Sequence, residues 1–131
     1  MTIVVDASAI VALGMNEPER LAIEAVIGET DDLRAASINL TEAGIALVLR
    51  YARFTEVEYD AWLRELNIKE TPIEARAALK AYLQYGKGVH RAGLNLGDCF
   101  AYALAKQLDV PLLYKGDDFV FTDVKRALQP T

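Results

Sequence analysis

The chain has 131 residues, a net charge of −5 and 53% hydrophobic residues, so we expect a single domain over residues 1–131 with a substantial core. No apolar stretch reaches the roughly 18–20 residues that a membrane span needs, and Asp6 interrupts the first apolar run, so we expect neither a membrane segment nor a secretory signal. A lone Cys99 excludes an internal disulfide and fits a reducing cytoplasm.

The first half of the chain predicts short strands that alternate with helices. Residues rich in β-branched side chains favour strands, and apolar residues spaced by three or four favour helices. In chain order the predicted elements are a strand over Thr2–Val5, helices over Ala7–Leu13 and Pro18–Ile27, a strand over Leu33–Ser37, and helices over Asn39–Arg53 and Thr55–Asn67. The last helix begins with Thr55 and carries Glu58 three residues later, which is the pattern of a capping box.

The second half continues the alternation. The predicted elements are a weak strand over Ile68–Thr71, a helix over Pro72–Tyr85, a glycine-rich loop over Gly86–Leu96, a helix over Gly97–Leu108 and a strand over Pro111–Tyr114, while Val120–Leu128 is ambiguous. Strands that alternate with helices imply parallel pairing and right-handed crossovers. The fold class is therefore α/β.

Acidic residues lie at the ends of these elements. Asp6 follows the first strand, Glu42 lies near the start of a helix, Asp98 opens another helix, and Asp117 and Asp118 follow the last strand. Ligands of open parallel sheets bind outside the carboxyl ends of the strands. Carboxylates that converge there repel one another, and Mg²⁺, which prefers oxygen ligands, relieves this repulsion. The pattern predicts a metal-dependent phosphoryl-transfer site.

Each acid also has a structural explanation. Asp6 can be the N-cap of the next helix, Glu42 can be the N3 member of a cap begun by Asn39, and Asp98 can mark a helix start. The pair Asp117-Asp118 is typical of a turn.

Two other families place an Asp after their first strand. A haloacid-type phosphatase would need a second Asp where Ser8 stands, and a response-regulator receiver would need an acidic pair before the first helix. One His and one Cys make neither a zinc site nor a nucleophile dyad, and there is no Walker loop.

Basic residues in the glycine-rich loop are candidates for contacts with phosphate. Lys87, His90 and Arg91 lie there. Residues 1–75 contain 14 acidic and 6 basic residues, whereas residues 76–131 contain 5 acidic and 8 basic residues. A polyanion would therefore meet the second half more easily, although ordinary surface scatter accounts for the distribution equally well.

These residues together resemble the PIN-domain ribonucleases, and within them the VapC toxins of bacterial toxin–antitoxin pairs. The similar segments are residues 4–12, 39–43, 86–88, 93–105 and 111–119, followed by Thr122-Asp123. The resemblance implies a three-layer α/β/α domain with a short, mainly parallel central sheet. It also implies Mg²⁺- or Mn²⁺-dependent endoribonuclease activity, a homodimer, and inhibition by a VapB-like antitoxin.

The resemblance also implies roles for individual residues. Asp6, Glu42 and Asp98 match the first three acids of the family's site, with Asp6 and Asp98 as the metal ligands. Asp118 is favoured as the fourth acid, and Asp117 stays open. One ion or two would activate the attacking water. Lys87, His90 and Arg91 would contact RNA phosphates, because the acidic site would otherwise repel the substrate.

An antitoxin would need a docking surface of its own. The segments Val11–Ile27 and Tyr51–Leu66 carry apolar and aromatic residues that suit either an interface or the core, namely Leu13, Met15, Leu21, Tyr51, Phe54, Tyr59 and Trp62. A catalytically silent PIN-like or receiver-like module that acts only through protein partners is the alternative function. The full set of acids favours the ribonuclease.

Overall fold

The structure, a computed structural model, describes residues 1–128. Its elements in chain order are β1 (Thr2–Val5), α1 (Ala7–Gly14), α2 (Arg20–Gly28), β2 (Asp32–Ala35), α3 (Ser37–Gly44), a π-helical segment (Ile45–Arg50), α4 (Glu56–Leu66), β3 (Ile68–Glu70), α5 (Ala75–Tyr85), α6 (Leu96–Leu108) and β4 (Leu112–Leu113). No helix within residues 1–128 is long and apolar enough to cross a membrane.

The four strands form one parallel sheet in the order β3-β2-β1-β4. In β1, Val4 packs into one apolar cluster with α5 and α6, whereas Ile3 and Val5 pack into a second cluster with α1, α2 and α3. Successive side chains of a strand point to opposite faces, so helices cover both faces of the sheet. The α/β class and the three-layer arrangement with a short parallel sheet are confirmed.

One local prediction is confirmed, and one segment left ambiguous by the sequence takes a definite form. Thr55 and Glu58 form the expected capping box at the start of α4. The ambiguous segment near the C-terminus forms turns, and Arg126 pairs with Leu112 in an isolated bridge beside β4.

The helix expected over Asn39–Arg53 differs at both ends. It begins at Ser37, after an extended Ala36, because β2 already ends at Ala35. Its last six residues are π-helical, and Tyr51 N donates to the carbonyl of Ala46.

Candidate active site

Asp6 is held at the carboxyl end of β1. Its backbone N–H donates to the Leu113 carbonyl of β4 (2.9 Å), and its side chain caps the N-terminus of α1. The Oδ2 atom accepts from the backbone N of Ser8 (3.0 Å) and from the Ser8 hydroxyl (2.7 Å). Ser8 Oγ in turn accepts from Lys115 N (3.0 Å), so it connects Asp6 to the segment after β4. Ser8 therefore positions the carboxylate of Asp6.

Asp98 lies in the first turn of α6 and is 8% exposed. Its backbone N donates to Oδ1 of Asn95 (2.8 Å), and its own Oδ2 accepts from Asn95 N (3.1 Å). This capping box fixes the carboxylate, and the positive end of the helix dipole favours its charge. The expected helix start is confirmed.

Glu42 lies inside α3 rather than at the start of a helix, and its side chain is half-buried. The expectation that Asn39 begins this helix with Glu42 at N3 is wrong, because Ala36 occupies the N-cap position. Asn39 is fully buried instead, and its Nδ2 donates to the Gly97 carbonyl (3.0 Å) and to Oε1 of Glu42 (3.4 Å). Asn39 thus joins α3 to α6 and orients Glu42.

Gly97 lets the Glu42 carboxylate approach the start of α6. A Cβ atom at this position would lie 2.0 Å from Oε1 of Glu42 and 2.5 Å from its Cδ. Only glycine therefore leaves room for this carboxylate beside Asp98. The sequence signal was a glycine directly before an acidic residue at a helix start, which is typical of a close backbone approach.

Asp117 and Asp118 follow β4 and are both exposed. Asp118 contributes its charge to the raised pKa values of Asp6 and Asp98. Burial raises the pKa of Tyr114, and Asp117 adds to that rise. Of the two adjacent acids, Asp118 is therefore the one that interacts with the buried carboxylates.

Burial and neighbouring charges raise the pKa of three of these carboxyl groups, Asp6, Glu42 and Asp98. Burial raises the pKa of Asp98 to about 7, and the charges of Asp6, Asp118 and Glu42 add to the rise. Burial also raises the pKa of Asp6 despite its hydrogen bonds from Ser8. Glu42 has its pKa raised by burial and by Asp6. The structure thus brings Asp6, Glu42, Asp98 and Asp118 together at the carboxyl edge of the sheet.

This acid cluster fits a hard divalent cation by its chemistry. Its ligand atoms are carboxylate oxygens, and none of the ion pairs found within residues 1–128 involves these four acids. Over the same residues, no group of three or more Asp, Glu, His or Cys side chains is spaced so that it could hold a metal ion as it stands. The donor chemistry of the cluster therefore suits Mg²⁺ or Mn²⁺, whereas the spacing of its side chains does not form a ready coordination site.

The basic loop lies directly before α6. It is closed by hydrogen bonds from Lys87 N to the Leu94 carbonyl (2.9 Å) and from Leu94 N to the Tyr85 carbonyl (3.0 Å). Lys87, His90 and Arg91 are all exposed. The described hydrogen bonds and ion pairs do not join these three side chains to the acid cluster. His90 Nδ1 instead accepts from Ala92 N (3.0 Å), and the Arg91 guanidinium lies over the Phe121 ring.

A cleft of about 280 Å³ lies between α1, α2 and α4, in the helical layer on the other side of the sheet from α5 and α6. Phe54 and Trp62 line it with ring centroids 5.0 Å apart, beside Leu13. Tyr59 is partly buried instead, and its hydroxyl donates to the Leu40 carbonyl (2.6 Å). Leu21 and Tyr51 are exposed. The residues expected at an interface thus divide between the cleft, the core and the surface.

Comparison with known proteins agrees with this architecture. The family model of the PIN domain matches residues 3–126. The crystal structure of Mycobacterium tuberculosis VapC20, described as a sarcin-ricin loop cleaving toxin, superposes with a TM-score of 0.76 at 15% identity, covering 93% of this chain and 95% of that one. PAE2754 from Pyrobaculum aerophilum superposes with a TM-score of 0.62 at 22% identity, covering 95% and 90%. A parallel sheet that gathers four acids at its carboxyl edge is thus a PIN-type domain.

Sequence relatives narrow the class further. VapC ribonuclease Mb0640 of Mycobacterium bovis is 40% identical over 131 residues, which cover 97% of this chain and 99% of that protein. A ribonuclease VapC of Mycolicibacterium smegmatis is 40% identical over 124 residues, which cover 92% and 96%. The chain belongs to the PIN-domain family and, within it, to the VapC ribonucleases.

Proposed function

We propose that this protein is a divalent-metal-dependent endoribonuclease that acts as the toxin of a VapB–VapC-type pair. The observation that carries the proposal is the group of carboxylates at the carboxyl edge of the sheet, in which burial and neighbouring acids raise the pKa of Asp6, Glu42 and Asp98. Its full-length relatives are named ribonucleases. The substrate is RNA, and the bond cleaved is a phosphodiester.

Asp6 and Asp98 would hold the metal ion. Each carboxylate is fixed by hydrogen bonds to one of its oxygens, Asp6 through Ser8 and Asp98 through Asn95. When bound, Mg²⁺ or Mn²⁺ polarises a phosphoryl oxygen and lowers the pKa of a water molecule. The raised pKa of Asp98 means that this carboxyl must lose its proton before it becomes a full ligand.

Glu42 and Asp118 would orient the attacking water and complete the set of four acidic residues. Asn39 and the bare backbone of Gly97 hold Glu42 in place from two sides. Asp118 is our choice for the fourth acid because its charge acts on Asp6 and Asp98, with Asp117 as the neighbouring alternative. The carboxylates of this set suit either one ion or two.

Lys87, His90 and Arg91 would contact RNA phosphates on the approach to the acids. They are exposed, and they belong to the loop that leads into α6. Cations are needed there because four acids repel a polyanion. A protein with a net charge of −5 would thereby bind RNA locally without binding nucleic acid in general.

The partners follow the same proposal. A VapB-like antitoxin would insert apolar side chains into the cleft lined by Phe54 and Trp62, next to Arg53, which donates to the Gly14 carbonyl (3.1 Å). We further propose a homodimer of a single-domain chain that acts in the cytoplasm, where its RNA substrate lies.

The test compares three purified proteins. Wild type, Asp98→Asn and Asp60→Asn are incubated with total RNA and Mg²⁺, and new RNA 5′ ends are sequenced after each reaction and after brief expression in cells. Asp60 is an exposed acid that pairs with Arg64 on α4, so it controls for the same chemical change outside the cluster. We expect defined cleavage sites from wild type and Asp60→Asn, and none from Asp98→Asn. Wild-type cleavage by Asp98→Asn would refute the site, and an inactive wild type would favour the silent module.

A further inference from the structure

An exposed aromatic ring lies against a guanidinium group in the half of the chain that also supplies Asp98 and Asp118. The Cζ atom of Arg91 lies 4.3 Å from the ring centroid of Phe121. Phe121 is 48% exposed with this group in place, so part of its surface is open to solvent. The two groups therefore form a cation–π pair at the surface, which we call the Arg91–Phe121 pair.

Each member of the Arg91–Phe121 pair is close in sequence to an acid of the cluster. Arg91 lies in the loop that runs into the capping box of Asp98. Phe121 follows Asp118 by three residues, so their Cα atoms lie at most about 11 Å apart. Turn hydrogen bonds from Val120 N to the Asp117 carbonyl (3.3 Å) and from Thr122 N to the Phe119 carbonyl (3.0 Å) make that separation shorter.

The segment that carries Phe121 is anchored at both ends. At its start, Lys115 N donates to Ser8 Oγ, the hydroxyl that holds Asp6. In its middle, Phe119 is buried, with its ring centroid 4.8 Å from that of Tyr114. At its end, Asp123 accepts from the Tyr102 hydroxyl and from Lys106 Nζ of α6. Phe121 is thus a surface ring on an otherwise fixed segment, which reduces the entropy lost when a ligand stacks on it.

We propose that the Arg91–Phe121 pair is a stacking platform for an unpaired base of the RNA strand close to the acid cluster. This proposal rests on the ribonuclease function proposed above and adds a base contact to its phosphate contacts. Aromatic rings and guanidinium planes are the groups on which proteins stack unpaired bases, and every base has a face that suits them. The positive charge of Arg91, together with Lys87 in the same loop, matches the flanking phosphates.

Binding of an RNA strand and of the same strand without bases distinguishes base stacking from contacts with phosphate charge. The parent protein carries Asp98→Asn, so that RNA is bound but not cut. The probes are a labelled mixed-sequence RNA of about 12 nucleotides, within the usual range for single-strand binding, and a fully abasic strand of the same length. Fluorescence anisotropy is recorded at several salt concentrations, and light scattering reports the oligomeric state.

Four variants in that background carry the argument. Phe121→Ala should bind the base-containing RNA about 5- to 150-fold more weakly, the range that one base–aromatic stack supplies, and bind the abasic strand unchanged. Its salt slope should equal that of the parent, because no charge is removed. Phe121→Trp should retain binding, whereas Phe121→Leu, which is apolar without a ring, should behave like Phe121→Ala. Tyr51→Ala is the matched control, since Tyr51 is also 48% exposed but follows the π-helical segment Ile45–Arg50, outside the segments that contain Arg91 and Phe121.

Three results would overturn the platform. The first is equal binding of base-containing RNA by Phe121→Ala and its parent, which leaves the ribonuclease proposal intact. The second is rescue by Phe121→Leu together with a change of oligomeric state in Phe121→Ala, which would assign the ring to a contact between protein chains. The third is a parent that binds neither strand while wild type leaves RNA uncut, which removes the ribonuclease function as well.

Discussion

Replacing Asp98 by Asn should stabilise the metal-free protein, and more so as the pH rises. Burial among acids raises the pKa of Asp98 from 3.8 to about 7. Asn keeps a side-chain oxygen for the hydrogen bond from Asn95 N, so the capping box can survive. The substitution therefore removes the buried charge while it preserves the helix start.

The sign follows from proton binding. Between about pH 4 and pH 7, Asp98 is protonated in the folded state and ionised in the unfolded state, so the folded state binds more protons. The free energy of unfolding of wild type therefore falls as the pH rises through this range. The loss from this group is at most about 4 kcal/mol, at 1.36 kcal/mol per pKa unit. Asp6 has its pKa raised in the same direction, but it is present in both proteins.

Urea unfolding in EDTA at about pH 4.5, 6 and 8 measures the effect. We expect the two proteins to be nearly equal at the lowest pH and Asp98→Asn to be more stable by about 2–4 kcal/mol at the highest. Asp60→Asn, which makes the same chemical change at an exposed acid outside the cluster, is measured beside it as the control. A constant difference for Asp98→Asn, or a wild type that is the more stable at pH 8, would refute the argument.

Three further predictions concern the same site. Gly97→Ala should lower RNA cleavage strongly but lower the free energy of unfolding by only about 1 kcal/mol. The added Cβ atom displaces the flexible end of the Glu42 side chain rather than backbone. Full activity of this variant in a cleavage assay would contradict the prediction. Millimolar Mn²⁺ should raise the melting temperature of wild type and not of Asp98→Asn. A ligand at 100 times its dissociation constant adds about 2.7 kcal/mol to the free energy of unfolding of the protein that binds it. Equal shifts in melting temperature for the two proteins would argue against a metal site. Lys87→Ala with Arg91→Ala should reduce the salt slope of RNA binding by about 0.7 per lost phosphate contact, and an unchanged slope would make the loop structural.

The sequence allowed the sheet and most of the helices to be predicted because their signals are local. The β-branched run before Asp6 and the capping box at Thr55 need only neighbouring residues to form. Asp98 was placed correctly for the same reason, since its cap partner Asn95 is three residues away.

The environment of Glu42 could not be predicted because it depends on distant contacts. Local spacing suggested Asn39 as a cap, but the partner of its side chain is the carbonyl of Gly97, 58 residues further along the chain. The sequence likewise could not show that Arg91 meets Phe121, or that Ser8 links Asp6 to Lys115. These contacts exist only after α6 and the segment after β4 have packed beside β1 and α3.

Helix capping and metal binding, considered as alternatives for Asp6 and Asp98 from the sequence, are compatible in the structure. Both hydrogen bonds from Ser8 reach Oδ2 of Asp6, and the bond from Asn95 reaches Oδ2 of Asp98, so each set of bonds is made to a single oxygen of its carboxylate. The helix N-termini supply N–H donors and a favourable dipole, which offset part of the repulsion between the acids. The offset is incomplete, because the pKa of Asp98 still rises to about 7. The protein thus keeps its carboxylates oriented but under-neutralised, and that residual repulsion is the free energy that binding of a divalent cation would relieve.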